Sequence, residues 1–476
     1  MALLIVVGIT ASDPAWAKKK QDKENNAEQT EFGDAALGRK YHQQIVDTYG
    51  EYDINGLAEY VQQIGSEVAA HATGEKYTWH FTVLDDENIN AFATPGGYVY
   101  VTRALIVHLN TQAQLAAVLG HEVGHITARH AARQYTAARV VGKVTDSIGP
   151  TTGFSLGTLF GAGLVRGYGR EMELEADESG AQMIRDAGYD PHAMLEVIEL
   201  LKARDQYDST GKEKETGDPY HAMLASHPDK DRRLLELATE ARESGAITRD
   251  DGRNEFLRHI DGIAWAGSAA QGVIRDSRFL HNDLDFALSF PEQWTIQNLP
   301  DRLLAWAPER AGMMQITLVD RADRKRRKIP VDKFLQKVTG LRRWQNARVV
   351  DINGLEGFIA TAKNMGSPFG VRTGRIAVIF HGDNAFIFNG VTQDNDRQRK
   401  YDRAFDSIIK STRRLAGPDR ELAQPQAVRI VQVSEDSDLS AFEIENVNDP
   451  VALLRLLNGL YPDGEPQPGD SIKIIR

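Results

Sequence analysis

The chain has 476 residues, enough for about three domains, and its 41% hydrophobic and 26% charged content is that of globular protein rather than a disordered chain. Asp and Glu total 67 against 56 Lys and Arg, and the net charge of −11 argues against nucleic acid as a partner. There is no cysteine, so disulfides, thiolate metal sites and cysteine nucleophiles are excluded, and any metal must be held by His, Asp or Glu.

Met1 to Ile9 (MALLIVVGI) is a short apolar run that ends at Ala15-Trp16-Ala17, before three lysines. An apolar core closed by A-x-A predicts a secretory signal peptide over 1–17, and with it an exported, periplasmic protein. No apolar run approaches the ~18 residues of a spanning helix. Residues 18–37 read as a polar linker. Helical periodicity follows to Gly74, with Ile54, Leu57, Val61, Ile64 and Val68 on one stripe. Tyr77–Leu84 and Tyr98–Val101 read as strands, separated by a Pro95-Gly96-Gly97 turn. Gln112 to Val140 predicts one long helix, and Glu171 to Asp186 another, with a Gly- and Thr-rich stretch between them. More helices are expected to about Arg242.

From about Asp276 the texture changes. Strands are expected at Phe286–Phe290, Met314–Val319, Arg375–Phe380 and Ala385–Val391, with helices at Val331–Val338 and Phe405–Arg414. Arg324 to Lys328 is read as a solvated loop rather than a nucleic-acid patch. Gly417–Gln426 reads as a linker, and 427–476 as a small separate module. The expected fold class is α+β multidomain: a mainly α-helical domain with a small β-sheet over 38–265, an α+β domain over 276–415, and the C-terminal module.

The chemistry lies in His121-Glu122-Val123-Gly124-His125, an H-E-x-x-H motif within the first long helix. Four-residue spacing puts both imidazoles on one helix face, where they can share one zinc ion. Glu122 then stands beside the metal without being a ligand, placed to take a proton from a water whose pKa the metal lowers. A catalytic zinc needs a third protein ligand and an open position. Ala128 and Ala131 stand where a metzincin extension needs Gly and His, so that class is excluded. A Glu from the later helix is the other option. Glu173 and Asp177 share a face there, so Glu173 can ligate while Asp177 reaches a ring N–H of a ligating His; Glu171, Glu175 and Glu178 compete. His130 is expected off the ligand face, at the surface.

GHEVGHITARHAARQ, GREMELEADESGAQMIRDAGYDP and SHPDKDRR, in this order, resemble the zinc metalloendopeptidases of the BepA and HtpX type, gluzincins related to the CAAX prenyl proteases. The resemblance covers about Gly38 to Arg242. It implies one zinc per chain on His121, His125 and Glu173, with Glu122 as general base and Asp177 behind the ligands. It also implies that His227 acts near the metal as a regulatory plug or oxyanion partner, with Arg233 nearby, and that Asn90, Ala91 and Phe92 form an edge strand that pairs with extended substrate. The substrates implied are unfolded or misassembled envelope proteins, including outer-membrane proteins or their assembly machinery. FALSFPEQW resembles the opening strand of small domains of the PsbP or Mog type, and the tail is LysM-like in outline, which makes peptidoglycan a candidate partner. The rival reading is a non-proteolytic periplasmic chaperone or cell-wall-binding scaffold with a structural zinc site.

Overall fold

The computed structural model describes residues 33–134, 168–210, 250–394, 398–435, 439–442, 444, 447 and 449–476. The signal-peptide expectation at 1–17 lies outside them. The described residues divide into two compact units, one drawn from 33–134, 168–210, 250–266 and 426–476, the other from 267–425.

The first unit opens with helices α1 (Gly33–Tyr49) and α2 (Leu57–Ala69). Leu57, Val61, Ile64 and Val68 recur every three or four residues, so α2 turns one apolar face inward. Strands β1 (His80–Leu84), β2 (Ala91–Thr94) and β3 (Tyr98–Thr102) form a sheet in the order β1-β3-β2. β3 runs parallel to β1 and antiparallel to β2, with Ala91 opposite Val101, which leaves β2 at the edge. Thr102 caps α3 (Arg103–His108) and Thr111 caps α4 (Gln112–Thr127), each hydroxyl accepting from the backbone N–H three residues on. The single helix expected to Val140 instead stops at Ala128. Arg129 takes the left-handed conformation (φ 55°), which cannot continue a right-handed helix, and the chain is helical again over 130–134. Helices α5 (Arg170–Asp186), α6 (His192–Thr210) and α7 (Arg253–Ile260) and the short strand β4 (Ala264–Trp265) follow.

The second unit has a three-stranded sheet of β5 (Val273–Arg275), β6 (Arg278–His281) and β7 (Phe286–Ser289). Its larger sheet comprises β8 (Thr295–Leu299), β9 (Arg302–Trp306), β10 (Gly312–Asp320), β11 (Trp344–Ile352), β12 (Leu355–Met365), β13 (Arg372–His381) and β14 (Asn384–Thr392). Seven antiparallel strands take the order β11-β12-β13-β14-β10-β9-β8. Alternation along β13 serves two cores: Ile376, Val378 and Phe380 pack with Phe334 and Leu335, while Ala377 and Ile379 pack with Phe405, Ile408 and Ile409. Arg324–Arg327, read from sequence as a loop, is an exposed helical turn, α8, ahead of α9 (Val331–Thr339). Helix α10 (Gln398–Ser411) covers the other face. The expected linker after Gly417 opens with a short helix, α11 (Gly417–Leu422), started by Pro418 in its first turn.

The last fifty residues depart most from expectation. β15 (Gln426–Gln432), α12 (Pro450–Leu457) and β16 (Ser471–Ile475) are not a free-standing module. β15 pairs with both β16 and β4, and Val428, Leu453, Leu457, Ile472 and Ile474 belong to the same core as Leu57, Leu119 and Ile184. A segment this short buries too little surface to stand alone, so its apolar residues complete a neighbour's core instead. The LysM-like outline is not confirmed by this arrangement. Lys473 is fully buried, and its Nζ donates to the carbonyls of Val107 (2.8 Å) and Leu109 (2.7 Å), at the end of α3 and just before the cap of α4.

Replacing Lys473 by Ala leaves those two carbonyls without their donor and opens a cavity, and is expected to cost about 2–4 kcal/mol in urea unfolding. His108 gives a second test. Its Nδ1–H donates to the Ala104 carbonyl (2.7 Å), so Nε2 accepts from Arg204 Nη1 (3.2 Å). Burial first, and then the Arg204 charge, push its pKa from 6.5 down to about 3. The fold holds this imidazole neutral whereas the unfolded chain protonates it near 6.5, so its stabilising contribution is complete above pH 6.5 and is lost as pH falls towards 3. The stability of His108→Gln should fall less steeply than that of the wild type over pH 6.5 to 4.

Candidate metal centre

The site depends on how closely α4 and α5 approach. An added Cβ at Gly124 would lie 2.8 Å from the Ala176 carbonyl oxygen and 2.6 Å from Ser179 Oγ. At Gly120 it would meet Ile184 Cγ2 at 2.9 Å, and at Gly180 the backbone nitrogen of His121 at 3.0 Å. Want of space requires glycine at 124 and makes any larger residue tight at 120 and 180, and the two backbones meet where the H-E-x-x-H motif lies. The contact carries Glu173 and Asp177, one turn apart on α5, to the imidazoles of α4.

His121, His125 and Glu173 come together as sequence suggested, with one candidate ligand atom from each lying within 4.8 Å of the others. His121 Nε2 is 3.0 Å from His125 Nε2, and the Glu173 carboxylate is 3.6 Å from each. Asp177 Oδ1 lies 2.8 Å from His121 Nδ1 and accepts its proton, so the Nε2 lone pair of His121 is turned towards His125 and Glu173. Of the competing acids, Glu175 goes elsewhere: it accepts from Arg133 Nη1 at 2.6 Å and lies 3.1 Å from His130 Nε2.

The donor set fits a divalent cation of the zinc class. Glu173 (0% exposed), Glu122 (1%) and Asp177 (2%) are carboxylates buried around two imidazoles, a concentration of negative charge that a cation offsets. Nitrogen lone pairs converging with a carboxylate are the donors zinc prefers, and three protein donors leave a position open. When bound, the ion would be held by His121, His125 and Glu173, with Glu122 next to His121 on the same helix.

Sequence reasoning missed two residues. His130, expected at the surface, is fully buried, and its Nδ1 lies 2.9 Å from Nδ1 of His125. The helix break at Arg129 turns it back over the motif, and helical spacing carried no sign of that break. Tyr168 stacks on the His125 ring with centroids 4.1 Å apart. Burial, and then the nearby Glu122 and Glu173 charges, raise its pKa, so it stays a neutral hydroxyl. Ala91 and Phe92 begin the edge strand β2, which packs beside α4. Phe92 stacks on Tyr100 (4.9 Å), and the Asn90 carbonyl is already bound by Thr102, so β2 offers main chain rather than side chains. His227 and Arg233 lie outside the described residues.

A Val at position 124 should force α4 and α5 apart and lower zinc affinity by at least about tenfold in chelator competition, whereas Val at exposed Gly417 should leave it unchanged.

Residues 56–241 match the model of peptidase family M48. The chain is 30% identical over 215 residues to the beta-barrel assembly-enhancing protease of Escherichia coli K12, covering 42% of each chain. It is 31% identical over 201 residues to the protein of the same name from Yersinia pestis, covering 39% of each. Over 188 residues it is 32% identical to mitochondrial metalloendopeptidase OMA1 of Arabidopsis thaliana, covering 38% of this chain and 36% of the relative. The chain thus spans about two fifths of the length of the curated relatives it matches. The solution structure of cyanobacterial PsbP from Synechocystis aligns over 30% of this chain and 96% of its own at 16% identity, with a TM-score of 0.24, a likeness too slight to decide anything. Among the described residues no helix is long and apolar enough to cross a membrane. Residues 56–241, which bring the two histidines of the H-E-x-x-H motif and Glu173 of helix α5 to one point, match the metallopeptidases of family M48.

Proposed function

We propose that the protein is a zinc-dependent endopeptidase that hydrolyses peptide bonds of unfolded or misassembled cell-envelope proteins in the periplasm. The observation that carries the reading is the convergence of His121 Nε2, His125 Nε2 and the Glu173 carboxylate beside Glu122. The name of the bacterial relatives, beta-barrel assembly-enhancing protease, supports outer-membrane proteins or their assembly machinery as the setting.

When bound, zinc would supply Lewis acidity, bringing the pKa of water towards 7 and polarising the scissile carbonyl. Glu122 acts as general base, taking a proton from the attacking water and delivering it to the leaving amine. Asp177 holds His121 in the tautomer that turns Nε2 inward. Main-chain groups of Ala91 and Phe92 on β2 pair with an extended substrate, a mode of recognition that tolerates many sequences. All four residues of β2 are buried, so pairing requires this edge to be uncovered first. His227, with Arg233 near it, serves as plug or oxyanion partner. Peptidoglycan, as a further partner, would have to be met by the outer surface of 427–476, whose apolar side is committed to the protease core.

The test is digestion of unfolded casein by the full chain, with zinc content measured, beside Glu122→Gln and His227→Ala. Internal cleavage that needs zinc is expected, slowed about 10²–10⁴-fold in Glu122→Gln and faster in His227→Ala. One bound zinc with no cleavage by the wild type or by His227→Ala would overturn the endopeptidase reading in favour of a chaperone or scaffold with a structural site.

A further inference from the structure

The two motif histidines are oriented differently. His121 donates straight to a carboxylate, Asp177. His125 meets another imidazole instead, with Nδ1 of His125 and Nδ1 of His130 2.9 Å apart and their rings nearly perpendicular (72°). Two nitrogens at that distance share one proton, so one donates and the other accepts.

The far side of His130 decides which. Its Nε2 is 3.1 Å from Glu175 Oε2, an oxygen that also accepts from Arg133 Nη1 at 2.6 Å. An oxygen that accepts from a guanidinium presents a lone pair to the imidazole too, so His130 carries its proton on Nε2. Nδ1 of His130 is then the acceptor, and Nδ1–H of His125 the donor. A neutral His125 with its proton on Nδ1 has its lone pair on Nε2, the atom 3.0 Å from His121 Nε2 and 3.6 Å from Glu173.

We propose that His130 is a positioning residue for the metal centre, linking His125 to Glu175 so that the Nε2 lone pair of His125 is aimed at the ion. The inference rests on the metal-centre reading above. Both imidazoles would then be oriented by α5, His121 directly through Asp177 and His125 through His130 and Glu175. The left-handed backbone at Arg129 makes this possible, because it ends α4 and folds His130 back over His125 within five residues. His130 is fully buried with both ring nitrogens bonded, whereas a histidine that only fills space needs neither bond.

The experiment measures the zinc affinity of the full chain by competition with a chromophoric chelator, and the visible absorption of the Co²⁺-loaded protein. His130→Leu keeps volume but loses the acceptor, and is expected to lower zinc affinity about 10–100-fold and to shift the Co²⁺ bands. His130→Asn, whose Oδ1 can accept where Nδ1 did, should recover part of the loss. Glu175→Ala, at a half-exposed position, should weaken binding in the same direction without disturbing the core. Zinc affinity within about twofold of wild type in both His130→Leu and Glu175→Ala would overturn the positioning role, as would His130→Asn performing no better than His130→Leu. A wild-type chain that binds no zinc would sink the metal-centre reading itself, and the positioning role with it.

Discussion

Everything at the site depends on the contact between α4 and α5, where glycines bring the two backbones close together. A Cβ at Gly124 would collide with the Ala176 backbone, and one at Gly120 or Gly180 would press on the facing helix, so these glycines let the two helices come close. Only at that separation can a short Glu173 side chain share a point with two imidazoles from the neighbouring helix. The carboxylates held there are buried, which is costly unless a positive charge joins them. Packing thus creates an electrostatic demand that a divalent cation would meet. The remainder of the unit keeps these two helices in place.

The C-terminal fifty residues belong to that support. β15 runs along β4, and Lys473 reaches the carbonyls of Val107 and Leu109, at the turn from which α4 starts. Asn458 joins α12 to β16 through both its amide nitrogen and its oxygen, which fixes how that buried lysine is presented. The end of the chain is therefore tied to the start of the helix that bears the histidines. The sheet-rich unit of residues 267–425 is inserted between the parts of this core in sequence, and has cores of its own on both faces of its seven-stranded sheet.

The candidate ligand set was legible because it depends on short-range geometry. An i, i+4 pair of histidines on an apolar-striped helix must share a face, and Glu173 and Asp177 repeat that spacing on a second helix. The strands and helices of 276–415 were legible for the same reason, since alternation along Arg375–Phe380 and the stripe of Val331–Val338 are local periodicities. His130 was not legible. Its place depends on one residue, Arg129, adopting a positive φ that its side chain does not favour, and only the surrounding packing selects that conformation.

The sequence by itself determined which residues could ligate, since absence of cysteine leaves only His, Asp and Glu, and the motif places two imidazoles on one helical turn. It also determined the division between a helical portion and a sheet-rich portion, because hydrophobic period follows from secondary structure. Tertiary structure alone decided that the tail completes the core of the first unit, that Glu175 turns to His130 while Glu173 turns inward, and that His130 is buried. Those outcomes depend on which surfaces far apart in the chain meet, and on how close three glycines let two helices come. No local pattern encodes such distances.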